Sequence, residues 1–319
     1  MATLTTWDEF TSGGKPQDGT IRELVLAEVI NLTSRRRPLM SILRSRPVSN
    51  TYVEDLQDTL ATRGFNATLE GAAATDPALT QPTRNFFHVQ SFSKWGHVSD
   101  EQRLVGHYNE DPFVYQTRKR LTELLNDMEH TFHRGSAATG ATSAARQFSG
   151  VINSFRAASS AGGTFTSTSG TTFTEEVLVD LLQVFKDQAL EVNPTWAFVN
   201  SYLKRTISEF STKMTRNVEA SLKQQTLVVD RHESDFGVLD VTYSEDQPIA
   251  GSKTTQGNTI SFVDPEFYSI GVLRSPTIEA LPRDGFRHRF QINAQATLIY
   301  RADQGGGGGE GFVSYINQS

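Results

Sequence analysis

The longest helical pattern of apolar and polar positions in the chain runs from Asp111 to about His133. Its apolar side chains recur at steps of three, four and seven residues, which places them on one helix face. Asp111 followed by Pro112 is typical of a helix start, because aspartate caps free N–H groups and proline needs none at the first position. The pattern predicts a helix of roughly 35 Å. Its apolar face holds Val114, Leu121, Leu125, Met128 and Phe132, and its charged face holds Arg118, Lys119, Arg120, Glu123, Asp127 and Glu129.

A second long pattern alternates strictly between apolar and polar positions from Phe286 to Tyr300. A period of two is typical of a strand with one buried face, and at about 3.3 Å per residue this one would span roughly 50 Å. Ordinary strands are several times shorter. His288 lies on the apolar face, where a hydrogen-bonded histidine is expected more often than a metal ligand. A long helix packed on a long strand predicts an elongated structure.

The remaining segments differ in character along the chain. Residues 1–49 read as an irregular arm, and residues 50–97 read as a two-stranded excursion with a small, polar, turn-rich tip. Residues 136–172 are rich in Gly, Ala, Ser and Thr and read as loops. Residues 174–274 carry two helix patterns and several short strand patterns, among them a hairpin around Glu233 to Gly237. The fold class predicted from these patterns is α+β.

Composition narrows the function classes. The chain has 319 residues, a formal net charge of −6 and no cysteine. Disulfides, thiolate catalysis and cysteine metal sites are therefore excluded, and a reducing compartment suits its folding. No apolar run has the length of a membrane span, and no signal-peptide pattern follows Met1. A mildly acidic chain is also unlike a dedicated nucleic-acid binder, which usually carries a basic field.

No familiar catalytic motif stands in a suitable context, so no cofactor and no enzymatic activity are predicted. Asp230, His232, Glu233 and Asp235 are dense enough to suggest a metal or acid/base site, and a hydrolase built on them is kept as an alternative. A solvated hairpin tip explains the same residues more simply, because turns commonly carry charges.

Charged residues near the start of the chain are candidates for contacts between subunits. The arginine run of the arm surrounds apolar residues, and docking on an acidic neighbour, a plain solvated loop and contact with phosphates all remain open. The tip of the excursion carries two acidic residues, and its base carries the one lysine of the excursion. The predicted contact candidates are Arg35, Arg36, Arg37, Arg44, Arg46, Glu70, Asp76 and Lys94.

The order of these segments resembles that of tailed-bacteriophage major capsid proteins with the Hong Kong 97 (Johnson) fold, in the branch without a fused N-terminal scaffold domain. The phrases that carry the resemblance are RPLMSIL, FNATLEGAAATDP, NFFHVQSFSKWGHVSD, VYQTRKRLTELLNDMEHTF, SYLKRTISEF and ESDFGVLDV. The resemblance implies five parts. They are an N-terminal arm (1–49), an extended E-loop (50–97), a peripheral P-domain (98–150) with a spine helix at 111–134, an axial A-domain (151–274), and P-domain return strands with the C-terminal segment (275–319).

The same resemblance implies a function. The chain would assemble into pentamers and hexamers of an icosahedral shell that encloses viral double-stranded DNA without sequence specificity. Portal, scaffold and decoration proteins would be further partners, no membrane would be involved, and the protein would fold in the host cytoplasm before residing in the virion. Covalent cross-linking is not expected, because Lys94 lies near the base of the E-loop instead of its tip. An encapsulin-like compartment shell or another homo-oligomeric phage structural protein is the alternative.

Overall fold

The computed structural model describes thirteen stretches of the chain, and the predictions on Arg35, Asp76 and Asp230 lie outside them. The described residues are 36–58, 65, 67, 69–71, 81–105, 111–140, 144–154, 167–169, 173–187, 194–210, 231–247, 258–300 and 314–318. The helices are α1 (Pro38–Ile42), α2 (Asp100–Leu104), α3 (Pro112–Arg134), α4 (Glu175–Asp187) and α5 (Ser201–Phe210). The strands are β1 (Arg44–Pro47), β2 (Tyr52–Gln57), β3 (Thr83–His88), β4 (Gln90–Ser99), β5 (Ser167–Ser169), β6 (Trp196–Val199), β7 (Arg231–Ser234), β8 (Gly237–Tyr243), β9 (Asn258–Val263), β10 (Tyr268–Leu281), β11 (Arg287–Tyr300) and β12 (Ser314–Gln318).

The predicted long helix is α3, and its start is the one that the sequence indicated. The Asp111 carboxylate accepts a hydrogen bond from the Phe113 amide at 2.9 Å, and Pro112 occupies the first turn. The predicted faces need correction, because Val114 is 47% exposed whereas Glu129 is 1% exposed. The buried face is rotated toward Leu124, Met128, Phe132 and His133, with Leu121 and Leu125 at its edge.

The long helix packs on a four-stranded sheet of order β1-β10-β11-β4. The predicted long strand is β11, and its even positions from Phe290 to Leu298 are buried as the alternation required. Phe286 is 81% exposed and lies outside the strand, which corrects the predicted start. Strand β11 pairs antiparallel with β10 on one side and with β4 on the other. Two other 10- to 14-residue strands thus satisfy its backbone along most of its length.

Strands β2 and β3 form the predicted two-stranded excursion, which is called the hairpin below. They pair antiparallel from Tyr52 opposite His88 to Gln57 opposite Thr83. The prediction ran the hairpin on to residue 97, but residues 90–99 form β4, which leaves the hairpin and joins the four-stranded sheet. The hairpin is therefore shorter than expected, and its returning chain becomes an edge strand beneath the long helix.

A second unit contains a six-stranded sheet of order β5-β12-β9-β6-β8-β7, flanked by α4 and α5. Helix α4 begins where predicted, with the Thr174 hydroxyl accepting from the Val177 amide. The predicted hairpin around Glu233 to Gly237 is β7 and β8. The buried core of this unit holds Phe173, Leu178, Leu181, Leu182, Ala197, Val199, Leu203, Ile207, Leu239, Val241, Ile260 and Phe262.

The chain passes between the two sheets at residues 264–267, between β9 and β10. The boundary expected at 274/275 falls inside β10, which is a continuous strand of the four-stranded sheet. Residues 314–318 were expected with the return strands, but β12 pairs with β9 and β5 in the six-stranded sheet. Phe267 packs against the cores of both units, so the two cores contact the same side chain where the chain crosses between the sheets.

Candidate assembly surfaces and the buried junction

The arm is docked on its own subunit from residue 38 onward. Leu39 of α1 and Leu43, which follows that helix, are buried in the core beneath the long helix. Strand β1 follows and pairs in parallel with β10, from Arg44 opposite Ser269 to Pro47 opposite Val272. This segment therefore adds an edge strand to the four-stranded sheet.

The described arginines of the arm fall into two groups. Arg44 and Arg46 are exposed on β1. Arg36 and Arg37 line a groove of about 1030 Å³ between the arm and the six-stranded unit, together with Lys204, Asp240 and Glu245 among others. The Arg37 guanidinium also lies 3.5 Å from the Asn126 carboxamide oxygen of the long helix. The structure thus leaves Arg44 and Arg46 on the surface and places Arg36 and Arg37 at a cleft.

The arm is held by a buried carboxylate. Glu129 of the long helix accepts hydrogen bonds from the Leu39 amide at 2.7 Å and the Met40 amide at 3.0 Å. A carboxylate that is 1% exposed needs such partners, because a buried charge without them is strongly unfavourable. Both oxygens of Glu129 are thus used to fix the arm on the helix.

The same carboxylate leads to a second segment. His133 lies one turn further along the helix and is completely buried, with Nε2 at 3.4 Å from Glu129 Oε1. Its ring nitrogens contact Ser244 Oγ at 3.1 Å and Gln247 Nε2 at 3.2 Å. Gln247 in turn donates to Ser261 Oγ of β9 at 3.2 Å. Arm, long helix and the loop after β8 are therefore joined by one set of buried polar contacts.

Two further contacts hold that loop on the exposed side of the helix. His130 Nδ1 lies 2.9 Å from Asp246 Oδ1, and Arg134 Nε donates to the Asp246 carbonyl at 2.7 Å. Residues 244–247, called the junction loop below, are thus attached to the long helix through His130, His133 and Arg134. We refer to the contacts of Glu129, His133 and the junction loop together as the buried junction.

The hairpin presents an amphipathic face to solvent. Tyr52, Leu56 and Phe86 lie on the same side of the two strands and are 40%, 65% and 52% exposed. Tyr52 packs edge-on against Phe86 and His88, with ring centroids 6.0 and 4.6 Å apart. In the described part of the tip, Phe65 and Leu69 are also highly exposed and Glu70 lies in an exposed turn. So many exposed apolar side chains on one thin element are typical of an interaction surface.

Lys94, one of the predicted contact candidates, lies on β4 of the four-stranded sheet. It faces the long helix from β4, and its Nζ lies 2.6 Å from Asp127 Oδ2. The next residue, Trp95, points to the opposite side of the sheet and is 66% exposed. The lysine therefore has a partner within its own subunit.

The acidic cluster considered as a hydrolytic site is spread along β7 and the turn between β7 and β8. His232 and Glu233 lie on β7 and Asp235 lies in the following turn. Among the described residues, no group of three or more His, Cys, Asp or Glu side chains is arranged to hold a metal ion. Burial lowers the pKa of His232, and Glu175 offsets this in part. His288 is hydrogen-bonded as predicted, with Arg103 Nη1 at 3.4 Å from its Nε2, and Asp100 Oδ1 lies 2.6 Å from the same nitrogen.

No helix in the described ranges is both long and apolar enough to cross a membrane.

The buried junction was not predicted, because Glu129 was assigned to the charged face of the helix. The Glu-x-x-x-His spacing of Glu129 and His133 was the available signal, since residues four apart meet on one helix face. Spacing alone does not show that the face is buried.

Comparison with known proteins identifies the family. A model described as "SU10 major capsid protein" matches residues 4–311. No curated protein matches the chain. Similar solved structures include the capsid of a native GTA particle, with a TM-score of 0.67 and 14% identity over 100% of both chains. Another is the capsid of Cyanophage A-1(L), with a TM-score of 0.65 and 11% identity over 93% of this chain and 97% of that one. A third, from Microbacterium phage Oxtober96, has a TM-score of 0.62 and 12% identity over 93% and 96%.

At such low identities the structural likeness shows the fold, and it confirms the predicted α+β fold of the Hong Kong 97 type. The family match confirms the predicted head-shell role and does not favour the alternative of a compartment shell. It also fits the prediction of a structural protein. Because the family model spans nearly the whole sequence, the chain belongs to the SU10 major capsid protein family and is a self-associating structural subunit of an icosahedral phage capsid in the virion.

Proposed function

We propose that the subunit assembles into pentamers and hexamers, and that the hairpin is the element that reaches onto a neighbouring copy. The observation that carries this proposal is the exposed face of Tyr52, Leu56 and Phe86. A two-stranded ribbon is marginally stable in water by itself. Cover from a second copy would remove these side chains from water and stabilise the ribbon at the same time.

The hairpin face combines apolar and charged groups. Between the aromatic end and Leu56, Arg84 Nη1 lies 3.6 Å from Glu54 Oε2. Such an exposed ion pair contributes little stability, in the range of 0–1 kcal/mol. We therefore assign the contact energy to the apolar residues and the choice of register on the neighbour to the charges.

The arm contributes a basic contact. Arg35, Arg36, Arg37, Arg44 and Arg46 give this segment a local positive charge in a chain whose formal charge is −6. A basic segment is attracted to the acidic surface of another copy, and the attraction weakens as salt screens it. Glu70 and Asp76 at the hairpin tip are the acidic counterparts that we propose for such contacts, and Lys94 is assigned to its own subunit through Asp127.

The division of the chain follows the two sheets. We propose that the four-stranded sheet with the long helix is the P-domain and that the six-stranded unit is the A-domain, with the change of domain moved from 274/275 to residues 264–267. The A-domain would then crowd around the five-fold and six-fold axes. In a closed shell each interface can be weak, because many contacts act together.

The remaining partners are part of the same proposal. The shell encloses double-stranded DNA on its inner face without reading its sequence, and it meets portal, scaffold and decoration proteins during its assembly in the host cytoplasm. Support for this part is the family membership alone.

The hairpin proposal is tested with the double substitution Leu56→Ser and Phe86→Ser. A matched control is Tyr202→Ser, which changes an aromatic residue of similar exposure on α5. Wild type and control are expected to sediment as closed particles of megadalton mass, visible by negative-stain microscopy. The hairpin variant should keep its circular dichroism spectrum and remain small. Closed particles from the hairpin variant at normal yield would refute the role of this face.

A further inference from the structure

We infer that Glu129 is a positioning residue that latches the arm to the long helix and, through His133, ties it to the junction loop. The latch fixes Leu39 and Met40, in the described part of the arm, on the long helix. The link to shell assembly rests on the proposed role of the arm, whereas the latch itself rests only on contacts within one chain.

The first step is that Glu129 supplies what the arm lacks locally. The amides of Leu39 and Met40 are first-turn N–H groups, which have no acceptor within their own helix. Arg37, which precedes that turn, makes no side-chain cap. Glu129 comes 90 residues later in the chain and accepts from both amides. An apolar residue at this position would leave one buried donor and one partly buried donor unpaired. The carboxylate is therefore favourable at position 129 only while the arm is docked.

The second step is the set of hydrogen-bond partners around the His133 ring. The Gln247 amide presents Nε2 to the ring, and with that orientation His133 Nδ1 at 3.2 Å is the acceptor. The ring proton then lies on Nε2, where Glu129 Oε1 and Ser244 Oγ are both within 3.4 Å. In this tautomer every contact of the ring joins a donor to an acceptor. His133 therefore lies between the Glu129 carboxylate and the junction loop and contacts both.

The third step is that the Glu129 latch can be lost while the junction loop stays attached to the long helix. The junction loop has two further attachments to the helix, His130 to Asp246 and Arg134 to the Asp246 carbonyl. Neither attachment involves Glu129. Loss of the Glu129 carboxylate should therefore release the arm first and leave the two sheets joined. A residue that only filled space would instead affect the whole core.

The test uses the full chain with Glu129→Gln and Glu129→Ala, and hydrogen exchange at the Leu39 and Met40 amides as the main measurement. Glutamine keeps one acceptor oxygen and the shape of the side chain, so it remains informative if the alanine variant fails to fold. Exchange at these amides should be faster by roughly 10- to 100-fold in the variants, the fold-change that corresponds to the loss of a hydrogen bond to a charged group. Amides of β11 should keep their wild-type protection.

A matched control is Glu123→Gln, because Glu123 lies on the same helix and pairs with Arg120 outside the junction. It should leave the arm amides protected and closed particles unchanged. Unchanged exchange at Leu39 and Met40 in both Glu129 variants would overturn the latch, and so would an equal loss of protection across β11.

The assembly step has its own readout. Glu129 variants in which the Leu39 and Met40 amides exchange faster should also form irregular or open particles. Released amides together with normal closed particles would overturn the assembly role of the latch. If wild type itself formed no particles, the proposed function would fail, while the exchange experiment would still decide whether Glu129 holds the arm.

Discussion

The contact between Gly96 and Phe290 allows a stability prediction whose sign depends on the structure. Gly96 of β4 lies directly opposite Phe290 of β11, and the aromatic ring lies over the glycine. A Cβ atom at position 96 would come within 2.6 Å of Phe290 Cζ and 2.9 Å of Cε1. Ordinary contacts begin at about 3.4 Å, so the ring would have to move by roughly 0.8 Å. Phe290 is completely buried and also packs edge-on against Phe113, with centroids 5.2 Å apart.

The magnitude follows from two opposing effects. Gly96 does not have a positive φ, so alanine could adopt its backbone and would stabilise the protein by about 0.4–1 kcal/mol through the unfolded chain if there were room. Forcing an extra methyl into a packed core costs about 1–3 kcal/mol. We expect the second effect to win, because the ring has packed neighbours on its other side. Gly96→Ala should therefore lower the free energy of unfolding by about 1–2 kcal/mol.

A double-mutant cycle separates the contact from other causes. Phe290→Leu removes the ring atoms that collide, at its own cost of lost packing. The pair Gly96→Ala with Phe290→Leu should be more stable than the sum of the single changes predicts, by about 0.5–3 kcal/mol. Chemical denaturation of unassembled subunits, followed by circular dichroism, measures each corner of the cycle. A stabilising Gly96→Ala, or strictly additive single changes, would refute the argument.

Two further predictions concern the long helix and the histidines. Leu124→Asp should abolish soluble, folded protein, because it places an unpaired charge in the core. Val114→Asp changes a 47% exposed position and should be tolerated. Equal expression and melting temperatures for the two variants would contradict the corrected helix face. Burial lowers the pKa values of His88 and His232. At a pH between those lowered pKa values and the ordinary value of about 6.5, the unfolded chain therefore binds more protons than the folded chain. The stabilisation of the folded state by the two neutral histidines should be complete above about pH 6.5 and should be lost as the pH falls through the folded-state pKa values. Thermal melts across this range should show the loss, and the double variant His88→Gln with His232→Gln should show a shallower pH dependence; an unchanged slope would argue against these two groups.

Local patterns in the sequence were sufficient for the main elements. The Asp111–Pro112 start of the long helix and the alternation from Phe290 to Leu298 were both confirmed. Caps and side-chain periods depend on residues a few positions apart, so they can be read without knowing the partner surface. The order of the elements was also enough to suggest the capsid fold, which similar structures share at 11–14% identity.

Tertiary structure decided which face of a pattern was buried and which strands met. Glu129 looks like a surface residue in the helix pattern, and only the arm amides that reach it across 90 residues make its burial favourable. The crossing at 264–267 and the place of β12 in the six-stranded sheet depend on hydrogen bonds between distant segments. A strand pattern specifies a period but not a neighbour, because backbone pairing carries no residue identity. The sequence by itself therefore determined the elements and their order, and the long-range contacts determined the buried junction.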